Sequence, residues 1–306
     1  MLIQKGRIMK KILCVGHSAY DITYLLPNFP VENKKYKAQD RIMVSGGPAG
    51  NASYLLGKYG EEVSYITTLG NDVYGREILN DLKAVGVDTK NIIVRDEFVT
   101  PCSIIITNGS NGSRTIINYR EERKIDGVEF QYKNSPEIIL FDGHELKLAL
   151  MAVEKFPNAV KVLDAGTYKE GTKVLGALVD YLVCSEDFAK DYCGVEKIEE
   201  EDFLNVLLKL KELNKKTVIV TLGERGSIME KDGKVVKFKA FKTKAVDTTG
   251  AGDIFHGAFV YGLSNNFSIE KNIEFASACA SLSVEKLGGR NSIPEIEQVL
   301  ERIKRG

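Results

Sequence analysis

The sequence predicts an α/β protein built on a mainly parallel sheet with helices on both faces, and three observations carry that prediction. Short, nearly continuous apolar runs alternate with amphipathic segments of helical length, the pattern of buried parallel strands and their crossover helices. Glycine turns follow several of those runs at the point where a strand gives way to a helix. A further set of strand-like runs, confined to residues 1–120, alternates polar and apolar side chains and so belongs to a separate, half-exposed sheet.

Taken in order, Lys11–Val15 reads as a buried strand ending at Gly16, with the eight residues before Met9 loose. Ile22–Leu26 and Tyr36–Val44 alternate as half-exposed strands, with Pro27 and Pro30 bracketing the turn between them. Pro48–Lys58 is a helix entered through Gly46-Gly47, with proline in the first turn where its missing N–H costs nothing. Val63–Thr68 is a strand, and Tyr74–Val85 an amphipathic helix stopped by Gly86. Cys102–Thr107 and Arg114–Tyr119 form a hairpin across Asn108–Gly112. Strands follow at Glu137–Phe141, Val160–Leu163, Tyr181–Val183 and Thr217–Thr221 with helices between them. A hairpin at Asp232-Gly233 and helices from Thr249, Ser268 and Pro294 complete the chain. The organisation expected is one α/β domain over 9–306, with insertions within about 17–45 and 98–124 forming a small sheet over one edge.

Composition narrows the partners. The 306 residues are 43% apolar and 27% charged, with Lys+Arg and Asp+Glu balanced at 42 each. That balance offers no field to hold nucleic acid or an anionic membrane surface. The apolar run at Ile138–Phe141 is strand length, far below the roughly 20 residues of a membrane span. Cys14, Cys102, Cys184, Cys193 and Cys279 are scattered, without metal spacing, and read as free thiols of a reducing cytoplasm. The three histidines are equally dispersed, so no metal cluster of protein ligands is expected.

The most informative segment is Val246–Ala258. Gly250, Ala251 and Gly252 leave backbone N–H groups uncovered at a helix entrance, where orphan donors and the helix dipole favour an anion such as phosphate. Asp253 would repel that anion but suits a base that takes a proton from an attacking hydroxyl. Cradle plus base points to phosphoryl transfer to an alcohol; read alone, Asp253 is more often a helix cap, and the further motifs reverse that balance. Ser45–Ala52 is the second small-residue cluster: Gly46 and Gly47 admit a ligand close to the backbone, and Asn51 offers a donor and an acceptor to sugar hydroxyls. Asp21, beyond the first strand, can hold two adjacent hydroxyls. Thr221, Gly223 and Gly226 form a glycine turn at the carboxyl end of a strand, where parallel sheets bind ligands. No P-loop and no dinucleotide-binding glycine fingerprint is present.

Gly46–Asn51 early and Asp247–Asp253 late resemble the two signature regions of the ribokinase-like (PfkB) carbohydrate kinases, over essentially Lys11–Ile303. The resemblance implies a Rossmann-like core with a β-sheet lid, use of ATP and Mg²⁺, and phosphorylation of a hydroxymethyl group of a sugar or nucleoside. It implies Asp253 as catalytic base, with the Gly250, Ala251 and Gly252 amides as the anion hole. Asp21, Gly46, Gly47 and Asn51 then hold the acceptor, and Thr221, Gly223 and Gly226 the nucleotide, with Ser277 and Gly289 closing over adenine. Asp247, Thr249 and Ser292 match a monovalent-cation site that would take K⁺. The family's N-x-x-E is here Ser185-Glu186-Asp187-Phe188, so Ser185 and Glu186 are carried over to the ATP site across an altered motif. The ketohexokinase-like branch shares Phe141–His144, which places Asp142 at the sugar and His144 where a basic residue is usual.

Pro48 stands where kinases of phosphorylated sugars commonly have lysine, which points to an unphosphorylated ketohexose or ribose, although Arg120 and Lys124 offer charge nearby. A nucleoside kinase stays open through Tyr20, Tyr119 and Phe141, as does a phosphosugar kinase. From a different class, a catalytically idle sugar-binding regulator is possible on this fold. A water-excluding lid suits the chemistry and the same sheet can pair two copies, so a homodimer through the lid is expected.

Overall fold

The structure, a computed structural model, describes residues 9–306 apart from 122, 124, 126 and 131–134. Residues 1–8 and Lys124 therefore lie outside the described residues. The chain opens with β1 (Lys11–Val15), β2 (Ala19–Leu26), β3 (Asp40–Gly46), α1 (Pro48–Lys58), β4 (Glu62–Ile66), β5 (Thr68–Gly70), α2 (Val73–Ala84) and β6 (Ile93–Arg95). Then come β7 (Cys102–Asn108), β8 (Arg114–Tyr119), β9 (Ile138–Phe141), α3 (Leu146–Lys155), β10 (Val160–Ala165), α4 (Glu170–Gly176) and β11 (Tyr181–Ser185). The remainder is α5 (Glu186–Cys193), α6 (Phe203–Leu213), β12 (Thr217–Thr221), β13 (Ser227–Lys231), β14 (Lys234–Phe238), α7 (Ala251–Ser264), α8 (Ile269–Ser283) and α9 (Ile296–Arg305).

The main sheet has eight strands in the order β14-β13-β12-β11-β10-β9-β1-β4. From β12 to β4 every pairing is parallel, and β13 and β14 close one edge antiparallel. The period-2 geometry of a strand sends Ile12 and Cys14 to one face and Leu13 and Val15 to the other. Ile138 and Leu140 of β9 join the first set, Ile139 and Phe141 the second. The first face packs on α1, α2, α7, α8 and α9, the second on α3 to α6, so apolar side chains are buried on both sides. Each fully buried Leu, Ile or Phe contributes about 2–3 kcal/mol, which makes this two-sided core the main source of stability.

Strand order reverses at β1, with β4 on one side and β9 on the other, and the crevice at the carboxyl ends of such neighbours is where open α/β sheets bind ligands. A second sheet of four strands, β3-β2-β7-β8, stands beside that edge. Its rows are fixed by register: Met43, Ile22, Ile104 and Ile117 share one face, whereas Asp21, Val44, Ser103 and Asn118 share the other. The expected strand from Tyr36 begins only at Asp40, because β2 ends at Leu26 and offers no partner further out. Val63–Thr68 likewise divides after Ile66, where β1 ends; Thr68–Gly70 turns away to pair with β6. Among the described residues, no helix is long and apolar enough to cross a membrane.

The turn after β12 is held in a conformation that only glycine tolerates. Gly226 has φ 91° and ψ −134°, and a Cβ there would lie 2.0 Å from the Phe238 carbonyl oxygen. Gly226→Ala is expected to lower stability by roughly 2–4 kcal/mol through backbone strain and the displaced β14 end. Urea denaturation reads this directly, and an unchanged midpoint would contradict the geometry of the turn.

Candidate active site

At the start of α7, Asp253 is not the helix cap. Gly250 is the N-cap residue, in the left-handed region at φ 75°, and no side chain caps the helix. Asp253 sits in the first turn with its carboxylate directed across to α1, where Asn51 Nδ2 donates to Asp253 Oδ2 at 2.7 Å. Burial pushes the Asp253 carboxyl up from its usual range, and the Asn51 bond, His256 and Arg114 pull it back. A Cβ on Gly252 would meet nothing within 4 Å, so this side of the turn is open to a ligand. Of the three anion-hole residues, Ala251 spends its N–H on a long turn bond, 3.3 Å, to the Thr248 carbonyl.

On the acceptor side, Asp21 projects from β2 against Gly46, where an added Cβ would come within 1.8 Å of Asp21 Oδ2. The carboxyl is pushed up to about 6 by burial, against a hydrogen bond from Ser103, and Asp253 and Arg290 act on it across the cleft. Gly47 hands over to α1 with φ 86°, and Asn51 follows on the first turn. Asp142 is held by main-chain donors. Its Oδ2 accepts from the backbone N–H groups of His17 (2.7 Å) and Ala49 (3.1 Å), and its Oδ1 from that of His144 (2.9 Å). A carboxylate so placed fastens the β1, β9 and α1 ends together at the strand-order reversal.

The histidines dispersed in sequence are not dispersed in space. The rings of His17 and His144 stand 4.9 Å apart, and Arg120 Nη1 lies 3.3 Å from His144 Nδ1 while Nη2 donates to Glu145 Oε1 at 2.9 Å. Burial pushes His17 well below the usual histidine range and His144 down to about 4. Among the described residues, no group of three or more His, Cys, Asp or Glu side chains is arranged to hold a metal.

The nucleotide candidates line the carboxyl ends of β11 and β12. Ser185 caps α5, accepting from the Phe188 N–H at 3.0 Å and donating to the Gly166 carbonyl at 2.7 Å, so its hydroxyl has a structural task. Glu186 is paired with Arg225 of the Gly223–Gly226 turn at 2.8 Å, which ties the altered motif to the turn. Thr221 ends β12 with its hydroxyl on the Cys184 carbonyl, and Ser277 is half-buried on α8. Asp247 joins the two late loops: Oδ1 accepts from the Thr249 N–H and hydroxyl, and Oδ2 from the Gly288 N–H at 2.9 Å. Ser292 Oγ donates to the Gly289 carbonyl at 2.7 Å. Two cavities of about 800 and 750 Å³ lie at the opposite ends of the strands, around Ile138 and Tyr181 and around Lys11 and Glu62, away from Asp253.

Three residues near Asp253 escaped the sequence reading. Arg114 on β8 donates to Thr248 Oγ1 at 2.5 Å, which seats the small sheet on the turn before α7. His256, one turn beyond Asp253's, has Nδ1 2.6 Å from the Gly252 carbonyl and 3.2 Å from Asp164 Oδ2, with Nε2 3.0 Å from the Val183 carbonyl. Burial pushes the Asp164 carboxyl up to about 7, and His256 opposes that. Arg290 reaches Asn51. Only His256 carried a local signal, lying within the motif itself; the other two are brought in by tertiary contacts.

The sequence profile of pfkB family carbohydrate kinases matches residues 9–296. A ribokinase of Lactococcus lactis subsp. lactis is 30% identical over 307 residues, spanning 97% of this chain and 98% of its own. The crystal structure of ribokinase from Thermotoga maritima superposes with a TM-score of 0.81 at 28% identity, covering 96% of this chain and 99% of that one. Arabidopsis thaliana ribokinase, solved with ribose and ATP, shares the fold with a TM-score of 0.80 at 23% identity over 97% of this chain and 99% of its own. The chain belongs to the pfkB family of carbohydrate kinases, enzymes that pass a phosphoryl group to an alcohol.

Proposed function

We propose that the chain phosphorylates a hydroxymethyl group of a small unphosphorylated sugar, of ribose or ketohexose type, from ATP with Mg²⁺. The observation that carries this reading is the Asp253 carboxylate, held by Asn51 and not capping its helix, beside the open glycine turn. Asp253 takes the hydroxyl proton as the oxygen attacks the γ-phosphorus, the bond to the β–γ bridging oxygen breaks, and ADP leaves. The Gly250–Gly252 turn and the α7 dipole offset the charge on the transferred group. Mg²⁺ bound with the nucleotide would supply neutralisation of phosphate charge, with Glu186 as the carboxylate carried over to that site; among the described residues no group of three or more His, Cys, Asp or Glu side chains is arranged to hold it. Asp21 and Asn51 hold the acceptor hydroxyls. At the Asp247, Thr249 and Ser292 site both hydroxyls donate, to Asp247 Oδ1 and to the Gly289 carbonyl, and so keep oxygen lone pairs for K⁺.

Two features favour a neutral sugar. Arg120 is engaged by Glu145 and His144, and Arg123 Nη1 by the Thr68 hydroxyl at 2.6 Å, so neither is left for a substrate phosphate. The aromatic residues that would suit a nucleoside are spent elsewhere: Phe141 is in the core, Tyr20 stacks on Tyr74, and Tyr119 is exposed and donates to Glu121. Ribokinase relatives weight the choice toward ribose.

ADP release across ribose, fructose, adenosine and fructose 1-phosphate is expected to be greatest with an unphosphorylated sugar. Asp253→Asn is expected to lower kcat by roughly 10²-fold or more while the thermal midpoint is kept. Turnover unchanged by that substitution removes Asp253 from the chemistry, and no turnover on any acceptor favours a sugar-binding regulator. We also assign the exposed row Met43, Ile104 and Ile117, 40–56% exposed, to pairing of two lids. Ile104→Glu should shift sedimentation from dimer to monomer; wild-type sedimentation as a monomer overturns that assignment.

A further inference from the structure

Arg290 is a costly residue that the fold alone does not explain. Its side chain is 5% exposed, and neither Nη1 nor Nη2 has a hydrogen-bond partner among the described residues. Nη1 stands 3.6 Å from Asp81 Oδ2, beyond hydrogen-bond reach, and Asp81 already accepts from Ser45 Oγ at 2.5 Å. The guanidinium lies over the Tyr54 ring at 5.3 Å and against α1 at Gly50, where a Cβ would sit 3.0 Å from Nη2. Burying a charge without full pairing is unfavourable, and such groups are often replaced by apolar side chains without loss of stability.

Among the described residues, the one hydrogen bond of the Arg290 side chain goes to the candidate active site. Its Nε donates to Asn51 Oδ1 at 3.3 Å, and Asn51 Nδ2 donates to Asp253 Oδ2 at 2.7 Å. A guanidinium only donates and a carboxylate only accepts, so the two ends fix which way the amide faces. The amide torsion of asparagine is otherwise broad and nearly two-fold. Resting on Asp253 as the base, we propose that Arg290 is a positioning residue: through Asn51 it locks the donor that aims and keeps ionised the Asp253 carboxylate.

The direction of its effect follows from charge. A donor to the carboxylate favours the ionised form. Loosening Asn51 therefore raises the pH below which the base is protonated and inactive. The other groups acting on Asp253 are Asp21 from β2, Arg114 from β8, Asp142 after β9, Asp164 on β10 and His256 on α7, and of these Asp21 also feels the Arg290 charge directly.

The test uses the full chain with ATP, Mg²⁺ and the best acceptor from the panel. Arg290→Met is expected to leave the thermal midpoint equal or higher, to lower kcat on the order of tenfold more than it changes sugar KM, and to move the acid limb of the kcat profile up by roughly one pH unit. Arg290→Lys, which keeps a donor, should recover part of the loss. In an Asn51→Ala background, the shift of the limb caused by Arg290→Met should shrink, because the path through the amide is gone and only the Arg290 charge acting on Asp21 is left. A collapse in stability with an unmoved limb in the folded Arg290→Lys protein makes Arg290 structural only, and equal effects with and without Asn51 refute the path. If Asp253→Asn is itself fully active, the base reading fails first; if Asp253→Asn is inactive and the limb of Arg290→Met is unmoved, only this inference fails.

Discussion

One hydrogen bond, from Asn51 to Asp253, joins residues 202 positions apart, and the close approach of α1 and α7 makes it possible. Gly257, four residues beyond Asp253 on α7, lets that helix lie against α1: a Cβ there would stand 3.0 Å from Ala52 Cα. At Gly250 the same economy of side chain admits Gly289 from the late loop, whose Cα would be 3.1 Å from a Cβ. Small residues in both motifs thus serve two ends. They uncover backbone donors for an anion, and they bring the two helix starts close enough for one amide to hold one carboxylate.

Four buried or half-buried carboxylates gather near that contact, and their surroundings assign them different work. Asp142 is held below the usual carboxylate range, although burial opposes this, by His144, Lys169 and its backbone N–H donors. It remains an anion that organises main chain. Asp164 is pushed up to about 7 and faces His256, so the pair braces the underside of the α7 turn. Asp21 and Asp253 are also raised by burial, yet each looks into the crevice and keeps capacity for a ligand hydroxyl. Separation of roles by environment is how one fold keeps a base apart from structural acids of identical chemistry.

Much of the fold was legible from local pattern. Pro48–Lys58 appears with those bounds because a glycine pair and a first-turn proline mark its start. The buried runs at Ile138–Phe141 and Thr217–Thr221 have no other reading in a sheet covered on both faces. Asp253 stood out because the glycine turn and the helix start that surround it are adjacent in sequence. What failed was what lies across the chain. The donors that occupy Asp142 come from residues as distant as His17, and Arg225, which claims Glu186, lies on the next strand's turn. A polar side chain's role depends on which donors reach it, and periodicity carries no information on that.

The small sheet brings the distant pieces to one place. Its inner face carries Asp21, and the Asp21 strand begins three residues after β1 ends, so the acceptor carboxylate is tied rigidly to the core sheet. Its far hairpin reaches the turn before α7, where Arg114 bonds Thr248 and a Cβ on Gly112 would stand 3.1 Å from the Ala245 carbonyl. A sheet anchored at one end to the strand edge and seated at the other on the turn before α7 spans the crevice between Asp21 and Asp253. Displacing its tip would therefore loosen Thr248 and withdraw the Arg114 charge from Asp253 in a single movement. The seating of the small sheet and the charge beside Asp253 are thus properties of the same contact, and neither can be altered at Arg114 without the other.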